Sequence, residues 1–328
     1  MAVAGPAVYW YFSLFYVLAI TGFGSRVLQI LLVFLALILS AAWGFLLNDL
    51  FDRYADSIAG RTPEERGHTL SMKTLGGVVV MTAGLSWGLI FAAGGNLTYK
   101  LVLAAAYILS FLYSVPPIKL KSRAFLGFLA DSLMERPLPI LVIFASVGYY
   151  GIETILFPIL TELIRSVFKH QADDYEKDAL ANVRTFAVSL GRDLTHKIVF
   201  NVLNPLSVLA TLAFGVVAWI NLPSLRWIVF PIILVMAVGV LLSLLLQRQG
   251  LLRSYTTLTD PPYIMFLSMA YKVLLLPALA FGILILKQEF YPLMILLAIS
   301  LAPHLKYYGG LIPIITRDFL KATARRKA

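Results

Sequence analysis

Apolar runs of membrane-spanning length recur from one end of this chain to the other, and they constrain its fold more than any other feature. Ten can be read, at about residues 5–23, 26–47, 74–94, 99–116, 124–148, 152–169, 198–220, 226–247, 263–287 and 289–305, where a helix needs roughly 20 apolar residues to cross a bilayer. Of the 328 residues, 60% are hydrophobic and 13% charged, and the mean hydropathy of +0.85 is too high for a soluble domain. The strands of a membrane barrel would place a polar residue at every second position, which these runs do not, so the spans are helices. The expectation is an all-α polytopic membrane protein. The start of the chain has no charged leader followed by a small-residue cleavage site, so the first run is expected to remain as a helix.

The formal charge of +10 does not point to nucleic acid, because the cations sit in short loops between spans. Arg53, Arg61, Arg66 and Lys73 fall in one loop, and Lys119, Lys121 and Arg123 in a second. Lys169, Lys177, Arg184, Arg192 and Lys197 fall in a third. The links at 94–98, 148–152 and 221–225 are nearly uncharged, and such alternation places the basic loops in the cytoplasm. No hydrophilic linker divides the chain, so residues 1–328 read as one membrane domain. The absence of cysteine excludes disulfide and thiolate chemistry.

Seven of the 17 acidic residues are gathered in two clusters at the ends of apolar runs. The first is Asn48-Asp49-Leu50-Phe51-Asp52-Arg53-Tyr54-Ala55-Asp56, and the second is Asp173-Asp174-Tyr175-Glu176-Lys177-Asp178. If the second span continues as a helix through its polar end, Asn48, Asp52 and Asp56 form one stripe with Asp49 beside them. In the second cluster the same spacing aligns Ser166, His170, Asp174 and Asp178. Like charges one turn apart repel unless a cation compensates them. Oxygen ligands without Cys select a hard ion, Mg²⁺ before Zn²⁺. Mg²⁺ is normally completed by phosphate, and Lys119, Lys121, Arg61 and Arg184 are cations suited to a polyanion. A membrane cavity beside such a site suits a lipid with a diphosphate head. Taken alone, the second cluster also reads as a solvated helix end, the lysines as topology signals and His170 as an interfacial histidine.

Asp131, Glu135 and Arg136 lie inside the run 124–148, where charges face a cavity or one another. Asp131 and Glu135 share a helix face and can line the cavity, with Arg136 balancing them. Equally, the three form a compensated cluster at the interface, with Pro137 starting the true span. Glu162 and Arg165 read as a structural pair.

At this point the residues resemble the UbiA-type superfamily of intramembrane prenyltransferases. The first cluster matches its Asn-Asp-x-x-Asp-x-x-x-Asp motif, and Asp174-Tyr175-Glu176-Lys177-Asp178 matches its Asp-x-x-x-Asp. The stretch from Tyr113-Ser114-Val115-Pro116-Pro117 to Lys119-Leu120-Lys121 matches its Tyr-Ser-x-Pro-Pro segment, and Val183-Arg184-Thr185 to Gly191 the region after its second motif. The order and spacing agree over roughly residues 40–195. The resemblance implies nine to ten transmembrane helices in a ring around a central cavity, with cytoplasmic cap loops. It implies Mg²⁺-dependent transfer of an isoprenoid chain from its diphosphate donor to a hydrophobic or aromatic acceptor or a membrane lipid. Asn48, Asp49, Asp52, Asp56, Asp174 and Asp178 would hold the metal, with Asp49, Asp52 and Asp174 catalytic. Asn48, Arg61, Tyr113, Lys119, Lys121, His170 and Arg184 would contact substrate. Asn182 stands where many members have Gly, and residues 63–68 lack the usual Arg-Pro-Leu loop, so the departures fall on the acceptor side.

Two other activities fit the same residues. A terpene cyclase of this fold would use the same diphosphate site with no acceptor, and a divalent cation transporter would use the carboxylates as transport ligands. The transporter reading is disfavoured because the acids sit at helix ends, not at midplane on broken helices.

Overall fold

The computed structural model describes residues 13–14, 27–58, 71–135, 137–148, 164–180, 183–249, 251 and 261–286, with scattered positions between 291 and 324. Among these every regular element is a helix, and the one β-type feature is an isolated bridge between Ala124 and Thr185. Among the described residues five helices are long and apolar enough to cross a membrane: Leu28–Asp52, Met72–Ala92, Leu97–Ser114, Arg192–Asn221 and Pro223–Arg248. The first run lies almost entirely, and the runs at 152–169 and 289–305 lie largely, outside the described residues, as do Arg61, Arg136, Glu162 and the side chain of Arg165.

The chain divides into two compact units. One, Arg26–Val199, contains α1 (Val27–Ile58), α2 (Met72–Ala92), α3 (Leu97–Ser114), α4 (Ala124–Glu135), α5 (Pro137–Ser146), α6 (Ile164–Asp173), α7 (Tyr175–Leu180), α8 (Phe186–Leu190) and α9 (Arg192–Ile198). The other, Met1–Ser25 with Phe200–Ala328, contains α10 (Asn204–Asn221), α11 (Arg226–Arg248), α12 (Pro262–Met269) and α13 (Leu276–Leu286). Within that second unit α11 packs on α10 and α12. All the acidic and basic motifs fall in the first unit.

Helices in a bilayer gain little from hiding apolar surface from lipid, so close approach and interhelical hydrogen bonds carry their packing. The α1 and α2 contact shows both. Ala36 and Ser86 are fully buried, and the Ser86 hydroxyl donates to the Ala36 carbonyl at 2.9 Å. At their starts the helices are capped by short polar side chains. Ser71 accepts from the Thr74 amide at 3.1 Å and Asn96 from the Tyr99 amide at 3.3 Å, each satisfying an otherwise unpaired donor. Asn96 also donates to the Ala145 carbonyl on α5 at 2.9 Å, which fixes the turn before α3 to the end of α5. Large apolar side chains such as Val80, Phe91, Leu101 and Ile108 lie exposed along α2 and α3, a surface that water would not tolerate and hydrocarbon does.

Over the run at 124–148 the helices α4 and α5 lie on either side of position 136, which is outside the described residues, and Asp131 and Glu135 are on α4.

Candidate active site

Helix α1 runs unbroken from Val27 to Ile58, so Asn48, Asp52 and Asp56 do fall at successive turns of one helix. Side chains beyond Asp52 on α1, Asp56 among them, lie outside the described residues. The partner surface is the end of α3. Two prolines stop that helix: Val115 turns extended, with ψ of 129°, and Pro116 and Pro117 follow, joined by a cis peptide bond. The last helical residue, Ser114, is buried, and its hydroxyl donates to Asn48 Oδ1 at 3.3 Å.

Beyond the prolines the chain doubles back through a tight turn. The Lys119 amide donates to the Val115 carbonyl at 3.0 Å, and Lys119 itself takes a left-handed conformation with φ of 38° and ψ of 62°. A single 3-10 turn, Leu120–Ser122, is closed by bonds from the Ser122 amide to the Lys119 carbonyl at 3.0 Å and from the Arg123 amide to Leu120 at 2.8 Å. Arg123 Nε donates to the Ile118 carbonyl at 2.7 Å. This turn brings both lysines to α1. The Lys121 ammonium contacts Asp52 Oδ2 and donates to Asn48 Oδ1 at 2.7 Å, while Lys119 Nζ lies 3.6 Å from Asp52 Oδ1. With side-chain exposures of 13% for Lys121 and 20% for Asp52, the pair sits toward the buried limit, where separating such charges is most costly.

The second cluster forms a nearly continuous helix. Helix α6 stops at Asp173 and α7 begins at Tyr175, yet the Asp174 amide donates to the His170 carbonyl at 3.0 Å and the Asp178 amide to Asp174 at 2.9 Å. The helical register is therefore kept through the interruption. Its acids have different neighbours. Asp173 pairs with Lys169 at 2.9 Å, Asp174 with Lys177 at 3.0 Å and Glu176 with Arg192 at 2.7 Å. Asp178 is half-buried and acts on Tyr113, whose hydroxyl lies in the field of Asp131, Asp52 and Asp178.

Backbone and aromatic contacts hold the segment after the second cluster to the lysine turn. The Ala124 amide donates to the Arg184 carbonyl at 2.9 Å, beside the bridge from Ala124 to Thr185. Phe186 packs edge-on to Phe125 at 5.5 Å and lies 5.4 Å from Phe128 and 5.5 Å from Phe168 on α6. Gln171 on α6 accepts from the Ala187 amide at 3.3 Å, and Thr185 caps α8 by accepting from Val188 at 3.3 Å.

Of the residues expected to form the site, Asn48, Asp52, Lys119 and Lys121 come into contact, Tyr113 lies in the field of Asp52 and Asp178, and Asp49 is half-buried on α1. Asp174 turns to Lys177 at a surface position, and His170 and Arg184 are exposed, Arg184 joining the assembly through its carbonyl. Ser114 and Asp131 belong to the gathering too. Ser114 could be noticed only as the neighbour of Tyr113, and Asp131 as a carboxylate in an apolar run. The donor set fits a hard divalent ion: Asn48 and Asp52 already share a cation, the Lys121 ammonium, through oxygen atoms alone. Among the described residues no three acidic or histidine side chains close around one point.

The profile of the UbiA prenyltransferase family matches residues 8–270. A digeranylgeranylglyceryl phosphate synthase from Thermococcus sibiricus is 32% identical over 180 residues, 51% of this chain and 58% of that relative, so the match spans little more than half the relative's length. A UbiA homolog from Archaeoglobus fulgidus bound to DMAPP and Mg²⁺ superposes with a TM-score of 0.56 at 18% identity, over 86% of this chain and 97% of its own. The same homolog bound to GPP and Mg²⁺ gives 0.56 at 18%, over 86% and 98%. At that identity the likeness is one of fold, while the profile covers most of the sequence and includes every motif of the site. The chain belongs to the UbiA prenyltransferase family.

Proposed function

We propose that the protein transfers an isoprenoid chain from its diphosphate to an acceptor inside the membrane, with Mg²⁺ as the ion that the site holds. The observation that carries this reading is the lysine pair drawn against Asn48 and Asp52 at the end of a membrane-spanning helix. Opposite charges concentrated there, next to apolar helices, match a ligand whose head is a metal-bound diphosphate and whose tail is hydrocarbon. Asn48, Asp49, Asp52 and Asp56 on α1, with Asp174 and Asp178, would hold the ion. Bound there, it would neutralise diphosphate charge and favour its departure.

The remaining roles belong to the chain itself. Lys119 and Lys121 bind the diphosphate and stabilise the charge that grows on it, and Arg61, Arg184 and His170 are the further groups that the family motifs assign to it. The bond between the first carbon of the prenyl chain and the diphosphate oxygen breaks, and its electron pair leaves with the diphosphate. The acceptor forms the new bond to that carbon and releases a proton. Tyr113, which feels the carboxylates of both acidic segments, is a substrate contact in this reading, and apolar surroundings exclude water, which would otherwise capture the allylic cation. The name of the Thermococcus relative favours a glyceryl phosphate lipid as acceptor over an aromatic ring. The charge alternation of the loops supports a site facing the cytoplasm. The profile match across residues 8–270 supports a single membrane domain.

The test is incubation of the purified protein with allylic diphosphates of several lengths, Mg²⁺ and a membrane lipid extract, with products identified by mass. A prenylated lipid or ring compound, lost in Asp52→Ala, is the expected result. An unchanged extract sinks the proposal, and a cyclic hydrocarbon formed without added acceptor identifies a cyclase instead.

A further inference from the structure

We propose that Gly127 is a positioning residue for Lys121, its missing side chain being what allows the lysine turn to seat against α4 and reach Asp52. This inference rests on the reading of Lys121 as a diphosphate contact and adds to it the element that places it. Gly127 is buried one turn into α4. A Cβ there would stand 2.5 Å from the Leu120 carbonyl oxygen, 2.9 Å from Lys121 Cα and 3.0 Å from the Lys121 carbonyl oxygen. All three are backbone atoms of the turn that carries the lysine. Glycine is otherwise a poor choice within a helix, since alanine favours helix and would tighten α4 if space allowed it.

The turn cannot yield cheaply to a methyl group. Lys119 at its start and Ala124 at its end both have positive φ, 38° and 42°, a region that side-chain-bearing residues occupy only when their surroundings force them. On the far side the Ser122 hydroxyl and amide both hold the Lys119 carbonyl, and Arg123 holds Ile118. To regain the roughly 3.5 Å of an unstrained contact, the Leu120 and Lys121 backbone must retreat by about 1 Å. Lys121 bonds to both Asn48 and Asp52 from its present place, so that retreat is taken from the contact with α1. Displacements of this size at a binding group lower efficiency by on the order of 100-fold.

The experiment is a double-mutant cycle on the full-length protein in detergent, with Gly127→Ala, Lys121→Met and the pair. The donor KM, kcat and affinity for an unreactive prenyl thiolodiphosphate are measured for each. Gly127→Ala is expected to raise donor KM and weaken the thiolodiphosphate by about as much as Lys121→Met. In the Lys121→Met background it should add less than twofold, because no ammonium remains to be displaced. A full additive penalty there overturns this proposal alone. A Lys121→Met protein that binds donor normally overturns both this proposal and the reading of Lys121 beneath it. Should Gly127→Ala not fold, Ser122→Ala loosens the same turn from its other side. A severalfold rise in donor KM is expected there, vanishing with Lys121→Met, and an unmoved KM overturns the proposal.

Discussion

Replacing Lys121 by methionine keeps the apolar stem of the side chain and deletes the ammonium that Asn48 and Asp52 share. Breaking a fully buried ion pair destabilises a protein by about 3–5 kcal/mol, and an exposed one by about 0–1 kcal/mol. Here some exposure remains, and Lys119 still stands 3.6 Å from Asp52, so a loss of about 1–2 kcal/mol in stability is expected. For ligands the substitution acts in opposite directions. A hydrogen bond from a charged donor contributes about 1.5–3 kcal/mol, so affinity for a prenyl thiolodiphosphate should fall by roughly 10- to 100-fold. Binding of Mn²⁺ without any diphosphate should instead strengthen, by roughly tenfold if the ammonium competes with it by about 1.4 kcal/mol. Calorimetric titration gives the first number and the electron paramagnetic resonance of free Mn²⁺ the second. If both affinities stay within twofold of the parent, or if Mn²⁺ binds more weakly, then Lys121 does not serve the diphosphate while occupying metal oxygens in its absence.

Asp52→Asn keeps the shape of the side chain while releasing both lysines, and should lower turnover by on the order of 100-fold or more and stability by about 1–2 kcal/mol, as breaking the same pair from the lysine side does; near-normal turnover would remove Asp52 from the mechanism. Phe186→Ala opens the aromatic cluster between α4, α6 and α8. A half-buried phenylalanine lost from such a cluster should cost about 2–3 kcal/mol, read as a lower melting temperature in detergent. Ser86→Leu forces a large side chain into the fully buried contact with Ala36 and should destabilise by about 1–3 kcal/mol, visible as earlier thermal aggregation. Chelation of divalent ions should stop diphosphate release and added Mg²⁺ restore it, as an oxygen-only donor set requires; release that continues in chelator argues against a metal site.

The sequence spacing made the first acidic stripe legible because a single helix carries it, and Asn48, Asp52 and Asp56 need only the helical repeat to be aligned. The second stripe was readable for the same reason, but its orientation was not. Asp174 turns toward Lys177, a choice set by packing and not by period. Lys119 and Lys121 could be recognised as cations suited to a polyanion, whereas their convergence on Asp52 depends on contacts with α1, nearly seventy residues earlier in the chain. It depends also on a left-handed Lys119 and on the space at Gly127. His170 and Arg184 fit the motif pattern by position, yet their side chains lie on the surface.

The hydrogen bond from the Ala124 amide to the Arg184 carbonyl uses main-chain atoms only. Side chains on both segments can drift while this bond persists, so the lysine turn and the region after the second acidic motif can diverge in sequence without losing their alignment. Proline at position 124 is the exception, since it has no amide hydrogen and its ring cannot adopt the φ of 42° found there. An engineer exchanging segments between relatives would accordingly do best to move residues 113–135 and 183–190 as a matched set, because each is half of one fastening.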